Sequence, residues 1–204
     1  MGFLASRFFG LVQGADFYVQ LHREAVALLP RGEGKTWMDA GSGPGLMARL
    51  AHDRGYRALG IDRDASMIRL AQRRHAGMAG LRFVRAHVEN MVERHGRFDV
   101  VSAASLLHVV SDRRAALLQL LDAVVDGGVL LVVETSSAMK EPRSQFRASN
   151  HGSGHSTWIL KLWVRARRFA APVDVRALCP SGYVVECHPL LDGLVNAWLV
   201  RRAT

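Results

Sequence analysis

The sequence predicts an α/β fold in which a mostly parallel sheet carries helices on both faces. Residues 36–51 have the pattern of a strand, a glycine-rich loop and a helix. Further strand and helix patterns alternate along the chain, which is typical of a doubly wound sheet. The run 129–133 contains only valine and leucine, as a central strand buried on both faces requires. A single globular domain of this class accommodates 204 residues, of which 49% are apolar.

The first unit contains the most informative motif of the chain. An apolar run ends at Asp39, and glycines follow at the alternating positions 41, 43 and 45. Glycine accepts positive φ and the close approach of a ligand without steric cost. The helix that follows points unpaired N–H groups at this loop. We therefore expect the loop to bind a carboxylate, a phosphate or a polar ribose.

The spacing of the glycines distinguishes two classes of cofactor. A dinucleotide fingerprint needs a third glycine where this chain has Leu46, and Gly45 comes one place early. An acidic residue two places before G-x-G-x-G instead resembles the first motif of the class I S-adenosylmethionine-dependent methyltransferases. A glycine-rich turn without a ligand is the structural alternative. The resemblance implies that these residues bind the methyl donor: Asp39, Ala40, Gly41, Ser42, Gly43 and Gly45.

The second predicted strand ends in a carboxylate at Asp62. An acidic side chain at this position of a nucleotide-binding unit accepts hydrogen bonds from the ribose hydroxyls. Asp64 or Ser66 is better suited to cap the next helix, which leaves Asp62 for the ligand. The resemblance extends the donor site to the adjacent Arg63 and to Met67. In this family Met67 would lie over the adenine, although a methionine in a helix is more often a core residue.

Residues 81–90 resemble the third strand of the family and the loop that reads the adenine edge. The family usually carries an aspartate where this chain has His87. A carboxylate only accepts hydrogen bonds, whereas a neutral imidazole accepts through one nitrogen and a protonated one not at all. We therefore expect the backbone amide of Val88 to bind the adenine, with the side chain of His87 contributing in its neutral form.

Residues 97–110 resemble the fourth strand and the loop that leads towards the methyl donor. Ala103 and Ala104 are expected beside the donor and Ser105 beside the acceptor, because small side chains let the two approach in line. His108 is the best candidate for a residue that deprotonates or shapes the acceptor, and binding a backbone carbonyl is its simpler alternative role.

The same segment also indicates the class of acceptor. It has no counterpart of the Asn/Asp-Pro-Pro-aromatic signature that binds a planar amine in related N-methyltransferases. The resemblance therefore implies the small-molecule branch of the family, which includes quinone and natural-product methyltransferases.

The last third of the chain resembles the closing part of the same sheet. Residues 117–128 predict a helix and a glycine turn before a fifth strand, and Glu134 at the end of that strand is expected to face the acceptor. Segments 182–187 and 194–200 resemble the closing antiparallel pair. The resemblance thus implies a Rossmann-like, doubly wound, seven-stranded and mostly parallel sheet with an antiparallel last strand and helices on both faces.

We expect one domain over the whole chain. In the helix before the first strand, Tyr18 and His22 are candidates for acceptor binding, although core packing explains its apolar positions without any function. Similar enzymes fold this helix over the donor. The predicted parts of the domain 1–204 are N-terminal lid helices over 1–35, a cofactor-binding core over 36–135, and a basic insertion helix with the closing strands over 136–204.

A polar, glycine-rich loop over 144–155 occupies the place where this family inserts substrate-specific structure. We expect a mobile substrate lid there. His151 and His155 lie four residues apart, but Gly152 and Gly154 oppose the helix that would bring them to one metal ion. No metal site is therefore expected.

The chain is strongly basic, with a formal net charge of +9. Seven basic residues and one acidic residue fall between positions 136 and 168, so this segment carries much of the charge. The pattern over 156–169 predicts a helix with an apolar stripe and a basic one. Such a helix either contacts an anionic surface weakly or packs on the sheet with its charged face in solvent. No base-stacking aromatic cluster accompanies the charge, so a nucleic-acid partner is not expected.

The cysteine content and the apolar runs indicate a cytoplasmic protein. Cys179 and Cys187 lie eight apart without a paired motif, which fits a reducing compartment. No apolar run approaches the roughly 18 residues that span a bilayer. Residues 1–6 formally fit a myristoylation pattern and vaguely a short signal, and we expect neither because the pattern is permissive.

Together these motifs predict an S-adenosylmethionine-dependent methyltransferase. The enzyme would transfer a methyl group to a small organic acceptor by direct in-line displacement and release S-adenosyl-L-homocysteine. Two alternatives have the same fold. One is a cofactor-binding homologue without catalysis that acts as a partner or sensor, and the less favoured one is a nucleic-acid methyltransferase.

Overall fold

The computed structural model describes residues 15–141, 155–167 and 171–203. Its strands form one seven-stranded sheet in the spatial order third, second, first, fourth, fifth, seventh, sixth. The first five run parallel to one another, whereas the seventh runs antiparallel to both the fifth and the sixth. This confirms the predicted sheet. The strands are β1 Thr36–Ala40, β2 Arg57–Asp62, β3 Leu81–Arg85, β4 Phe98–Ala104, β5 Val124–Thr135, β6 Tyr183–Leu190 and β7 Val195–Arg202.

Helices cover both faces of the sheet, as predicted. Strand residues alternate between the two faces, so Trp37 packs in one apolar core and Met38 in the other. The helices are α1 Asp16–Ala27, α2 Leu46–Asp53, α3 Ala65–Arg74, α4 Met91–His95, α5 Arg113–Asp122, α6 His155–Arg167 and α7 Val175–Leu178, with 3-10 turns at Val88–Asn90 and Ser137–Lys140. The first core includes α1, α2, α3 and α6, and the second includes α4, α5 and α7.

The start of β5 corrects one prediction. The sequence predicted a glycine turn between the fifth helix and its strand, but α5 ends at Asp122 and β5 begins at Val124. Both glycines therefore lie inside the strand. Gly128 packs so tightly against β4 that an added Cβ would lie 2.7 Å from the Asp99 carbonyl oxygen. In place of the predicted turn before the strand, the pairing with β4 shifts between Phe98–Val124 and Val100–Val129, and Gly127 in this irregular part of the strand has a φ of 76°.

Some predicted segments fall outside the described residues. These are residues 1–14 of the N-terminal lid, the part of the lid loop up to residue 154, including His151, and the end of the basic helix at 168–169. Within the described ranges, no helix is both long and apolar enough to cross a membrane.

Candidate active site

The glycine loop lies at the carboxyl end of β1 and leads into α2. Gly41, Gly43 and Gly45 have φ values of 71°, 51° and 92°, which favour glycine. A Cβ at Gly45 would also lie 2.5 Å from Cζ of Phe83 on β3. Gly45 is the N-cap of α2 and has no side chain to cap the helix, although the Asp39 carboxyl forms a hydrogen bond with the backbone of Ala48 in the first turn. The loop thus forms a glycine-lined cradle at a helix N-terminus.

Asp62 ends β2 directly beside this loop. Its Oδ2 accepts a hydrogen bond from the Gly43 amide at 2.9 Å, and its Oδ1 accepts one from the Asp64 amide at 2.8 Å. A carboxylate offers about four lone-pair sites, so acceptor capacity remains for ligand hydroxyls. Asp64 caps α3 as predicted, because its Oδ1 accepts from the Ser66 amide at 2.8 Å. The two backbone donors therefore orient the carboxylate of Asp62 without exhausting it.

Asp39 lies beneath the loop and is only 2% exposed. Its Oδ1 accepts from the Ser102 hydroxyl at 2.8 Å, and the Ser102 oxygen accepts from Nε1 of Trp37 at 2.8 Å. Burial raises the pKa of Asp39 to about 7, and the Ser102 hydrogen bond opposes this rise. The sequence analysis missed Ser102. The signal was available in the strand register, which pairs Ser102 of β4 with Asp39 of β1.

Ser42 gives the cradle an unsatisfied polar group. Its residue is 4% exposed, and its hydroxyl has no hydrogen-bond partner among the residues that the structure describes. Leaving such a buried hydroxyl unpaired costs about 1–3 kcal/mol, which a polar ligand can offset. The orphaned hydroxyl and the space kept by the glycines both fit a nucleoside ligand with a polar amino-acid end.

The residues predicted at the adenine end lie at the carboxyl ends of β2 and β3. Met67 is buried on α3, and Val88 opens a 3-10 turn. The His87 side chain is 59% exposed, with Nδ1 at 4.0 Å from Oε2 of Glu89. The Arg63 side chain is exposed as well, and its carbonyl accepts from Nε of Arg85 at 3.1 Å. Adenine binding by these residues stays a prediction.

The loop after β4 brings the next predicted residues against the glycine loop. Ala103 is buried and Ala104 half-buried at the end of the strand. Ser105 follows with φ of 56°, a left-handed conformation that is uncommon outside glycine. In the same loop, Cδ1 of Leu106 lies 3.0 Å from where a Cβ of Gly41 would be. The loop after β4 therefore lies directly beside the glycine loop.

A buried carboxylate and a histidine meet at the ends of β4 and β5. Oε2 of Glu134 lies 3.0 Å from Nδ1 of His108, and these side chains are 0% and 7% exposed. Oε1 of Glu134 accepts from the Leu107 amide at 2.7 Å. Nε2 of His108 contacts Nη1 of Arg167, the last described residue of α6. The sequence analysis missed this role of Arg167, because 59 residues separate it from His108.

Tyr18 of α1 reaches the same end of the sheet. It is 2% exposed, and its phenol forms a hydrogen bond with the Ser105 side chain. Burial raises the pKa of Tyr18 to about 12, opposed by the nearby positive charge of Arg167. His22 lies behind this phenol, where its Nδ1 donates to the Tyr18 carbonyl at 2.8 Å. Burial lowers the pKa of His22 to about 4, so its ring is neutral at neutral pH.

Comparisons with known proteins agree with this geometry. A family model of the methyltransferase domain matches residues 38–132. An uncharacterized methyltransferase of Mycobacterium tuberculosis is 36% identical over 116 residues, which are 55% of this chain and 57% of that protein. A malonyl-[acyl-carrier protein] O-methyltransferase of Pseudescherichia vulneris is 29% identical over 138 residues, 66% of this chain and 54% of that protein. The chain thus spans a little over half the length of these relatives.

The fold is also similar to a solved methyltransferase. The plantazolicin methyltransferase BpumL in complex with SAH superposes with a TM-score of 0.70 at 11% identity, over 96% of this chain and 89% of that chain. The shared fold and the family match decide the assignment. Residues 38–132 match a methyltransferase domain, and the fold around them is that of a class I S-adenosylmethionine-dependent methyltransferase.

The family match covers the two sides of the predicted site unequally. Residues 38–132 include the glycine loop, Asp62 and His108. Tyr18, Glu134 and Arg167 lie outside the match, on α1, β5 and α6. The predicted donor side thus lies within the matched residues, whereas the predicted acceptor side lies partly inside and partly outside them.

Proposed function

We propose that the chain is an enzyme that methylates a small organic acceptor with S-adenosyl-L-methionine. The observation that carries this proposal is the position of Asp62 against the Gly43 amide. This position brings a carboxylate that can still accept hydrogen bonds from a ligand next to the glycine-lined N-terminus of α2. A ribose and an amino-acid carboxylate are the two groups that such a pair of sites recognises.

The donor side of the proposed enzyme consists of the glycine loop and the ends of β1 and β2. Asp62 is proposed to accept from the ribose hydroxyls, and the start of α2 to face the carboxylate of the methionine part. The Ser42 hydroxyl would gain a partner when the donor binds. The acceptor would attack the activated methyl group of the donor in line with the carbon–sulfur bond, and S-adenosyl-L-homocysteine would leave with the electron pair of that bond.

The acceptor side is proposed to lie where α1 and α6 meet the ends of β4 and β5. The small side chains of Ala104 and Ser105 leave space between this side and the glycine loop. In a methyl transfer of this kind, most of the rate acceleration comes from the alignment of donor and acceptor and from the exclusion of water. His108 is proposed to shape or deprotonate the acceptor. The malonyl-[acyl-carrier protein] O-methyltransferase among the relatives supports an oxygen as the methylated atom.

Two neighbouring carboxylates provide a matched test of the donor site. We expect Asp62→Asn to weaken the binding of S-adenosylhomocysteine by about tenfold or more, because a charged acceptor is lost from the ribose. Asp64→Asn should leave the affinity within about twofold, because asparagine also caps helices well. Isothermal titration calorimetry measures both. Equal affinities of the two variants would refute the role of Asp62, and failure of the wild-type protein to bind would refute the proposed function.

A further inference from the structure

The carboxylate of Glu134 is engaged by two neighbouring groups of the protein, and its charge also acts on the nearby Tyr18 phenol. Both of its oxygens are engaged, one by the Leu107 amide at 2.7 Å and the other by Nδ1 of His108 at 3.0 Å. The side chain is 0% exposed. Glu134 therefore orients His108 instead of presenting a carboxylate to a ligand.

The contacts of His108 define which of its ring nitrogens carries the proton. A carboxylate only accepts, so Nδ1 donates to Glu134. A guanidinium only donates, so Nε2 must accept from Arg167. The nitrogen that would have to take a proton from an acceptor hydroxyl is thus already engaged. The arrangement holds the guanidinium of Arg167 at the end of β4.

The Tyr18 phenol and an apolar wall lie beside this guanidinium, and the charges of Glu134 and Asp39 also act on that phenol. The Tyr18 phenol lies close enough for the charge of Arg167 to lower its pKa, and burial keeps it protonated at neutral pH. Its ring packs edge-on to Trp163 of α6, with centroids 6.2 Å apart, and Phe17 lies 5.9 Å from the same indole. A guanidinium and a phenol above aromatic rings are suited to a carboxylate carried on an apolar body.

We infer that the acceptor is a small carboxylic acid, that Arg167 anchors its carboxylate, and that a carboxylate oxygen is the methylated atom. This inference rests on the proposed function. The carboxylate oxygen forms a bond to the methyl carbon of the sulfonium donor while the carbon–sulfur bond breaks. The electron pair of that bond passes to sulfur, which gives a methyl ester and S-adenosylhomocysteine. A carboxylate is ionised at neutral pH, so no proton has to be removed, and His108 acts as a positioning residue for Arg167.

Matched acids and amides test this inference by binding. The protein is saturated with S-adenosylhomocysteine and titrated calorimetrically with benzoate and benzamide, and with octanoate and octanamide. We expect at least one acid to bind about tenfold or more tightly than its amide, because only the acid pairs with a guanidinium. Equal binding within both pairs, or binding of the amides alone, overturns the inference.

Two arginines of α6 provide the matched variants. Arg167→Gln should reduce the affinity for the bound acid by about tenfold or more, with the affinity for S-adenosylhomocysteine unchanged. Arg165→Gln, on the exposed face of the same helix, should change neither. Equal effects of the two substitutions on acid binding would overturn the role of Arg167. The wild-type protein is first titrated with S-adenosylhomocysteine alone. If it does not bind S-adenosylhomocysteine, the proposed function fails, whatever the result with the acids.

A second readout identifies the product. Incubation of the wild-type protein with S-adenosylmethionine and the acid that binds should give the methyl ester, which mass spectrometry distinguishes from a product methylated on carbon or nitrogen. The rate should not fall between about pH 8 and 6, because the carboxylate stays ionised over that range. Detection of a methylated product other than the ester would overturn the assignment of the methylated atom.

Discussion

At the scale of single residues, Asp39 makes the stability of the fold depend on pH. Burial raises its pKa from 3.8 to about 7, so the folded state binds its proton more tightly than the unfolded state does. The free energy of unfolding therefore falls as pH rises from 3.8 to about 7. The ionisation of Asp39 lowers it by at most about 4 kcal/mol. The Asp39→Asn variant carries no titrating group at this site.

Urea unfolding of the wild type and of Asp39→Asn between about pH 4 and 7.5 measures this effect directly. We expect the variant to gain stability relative to the wild type as pH rises, because it never has to ionise a buried carboxyl. A constant difference between the two free energies of unfolding would show that Asp39 does not titrate in this range.

Gly45 tests the packing of the donor loop at the same scale. A methyl group at this position meets Cζ of Phe83 at 2.5 Å on a backbone with φ of 92°. Gly34 has a similar φ of 86°, and no atom lies within 4 Å of its added Cβ. We expect Gly45→Ala to lower the free energy of unfolding by about 1–3 kcal/mol more than Gly34→Ala does, because only the former adds a steric clash. Equal losses in urea unfolding would contradict the packing at Gly45.

At the scale of elements, α6 has two faces with different roles. Ile159, Trp163 and Val164 are buried, and Arg167 at its end contacts His108. The opposite face exposes Trp158, Lys161, Leu162 and Arg165. Packing on the sheet, one of the two roles expected from the sequence, is confirmed for the inner face. Weak contact with an anionic surface stays a prediction for the outer face.

Co-sedimentation with vesicles tests the outer face of α6. We expect weak, salt-sensitive binding to phosphatidylglycerol vesicles and none to phosphatidylcholine, because basic and apolar residues share this face. The double variant Lys161→Glu and Arg165→Glu should lose the binding. Changing Arg69 and Arg73 on the exposed face of α3 to glutamate alters the net charge equally and should preserve it. Equal losses in both variants would indicate a general charge effect.

Elements also differ in how far the sequence could predict them. The glycine loop, Asp62 and the cap at Asp64 are encoded within short segments, where residue type and spacing determine local geometry. The start of β5 was mispredicted because the requirement for Gly128 comes from the Asp99 backbone on a neighbouring strand. Local patterns do not contain that contact.

At the scale of the whole molecule, the sheet topology could be predicted and the acceptor side only in part. Alternating strands and helices imply a parallel sheet, and that sheet brings the carboxyl ends of its strands to one edge. Glu134 and His108 could be placed at this edge from the strand pattern. Arg167 could not, because its position depends on how α6 packs against α1 through Trp163.

The measurement that tests the central claim most directly is a calorimetric titration of the wild-type protein with S-adenosylhomocysteine and, separately, with NAD. Leu46 departs from the dinucleotide pattern, and Asp62 lies against the Gly43 amide at 2.9 Å. We therefore predict saturable binding of S-adenosylhomocysteine with one site per chain and no binding of NAD. Binding of NAD, or of neither ligand, would contradict the proposed methyl-donor site.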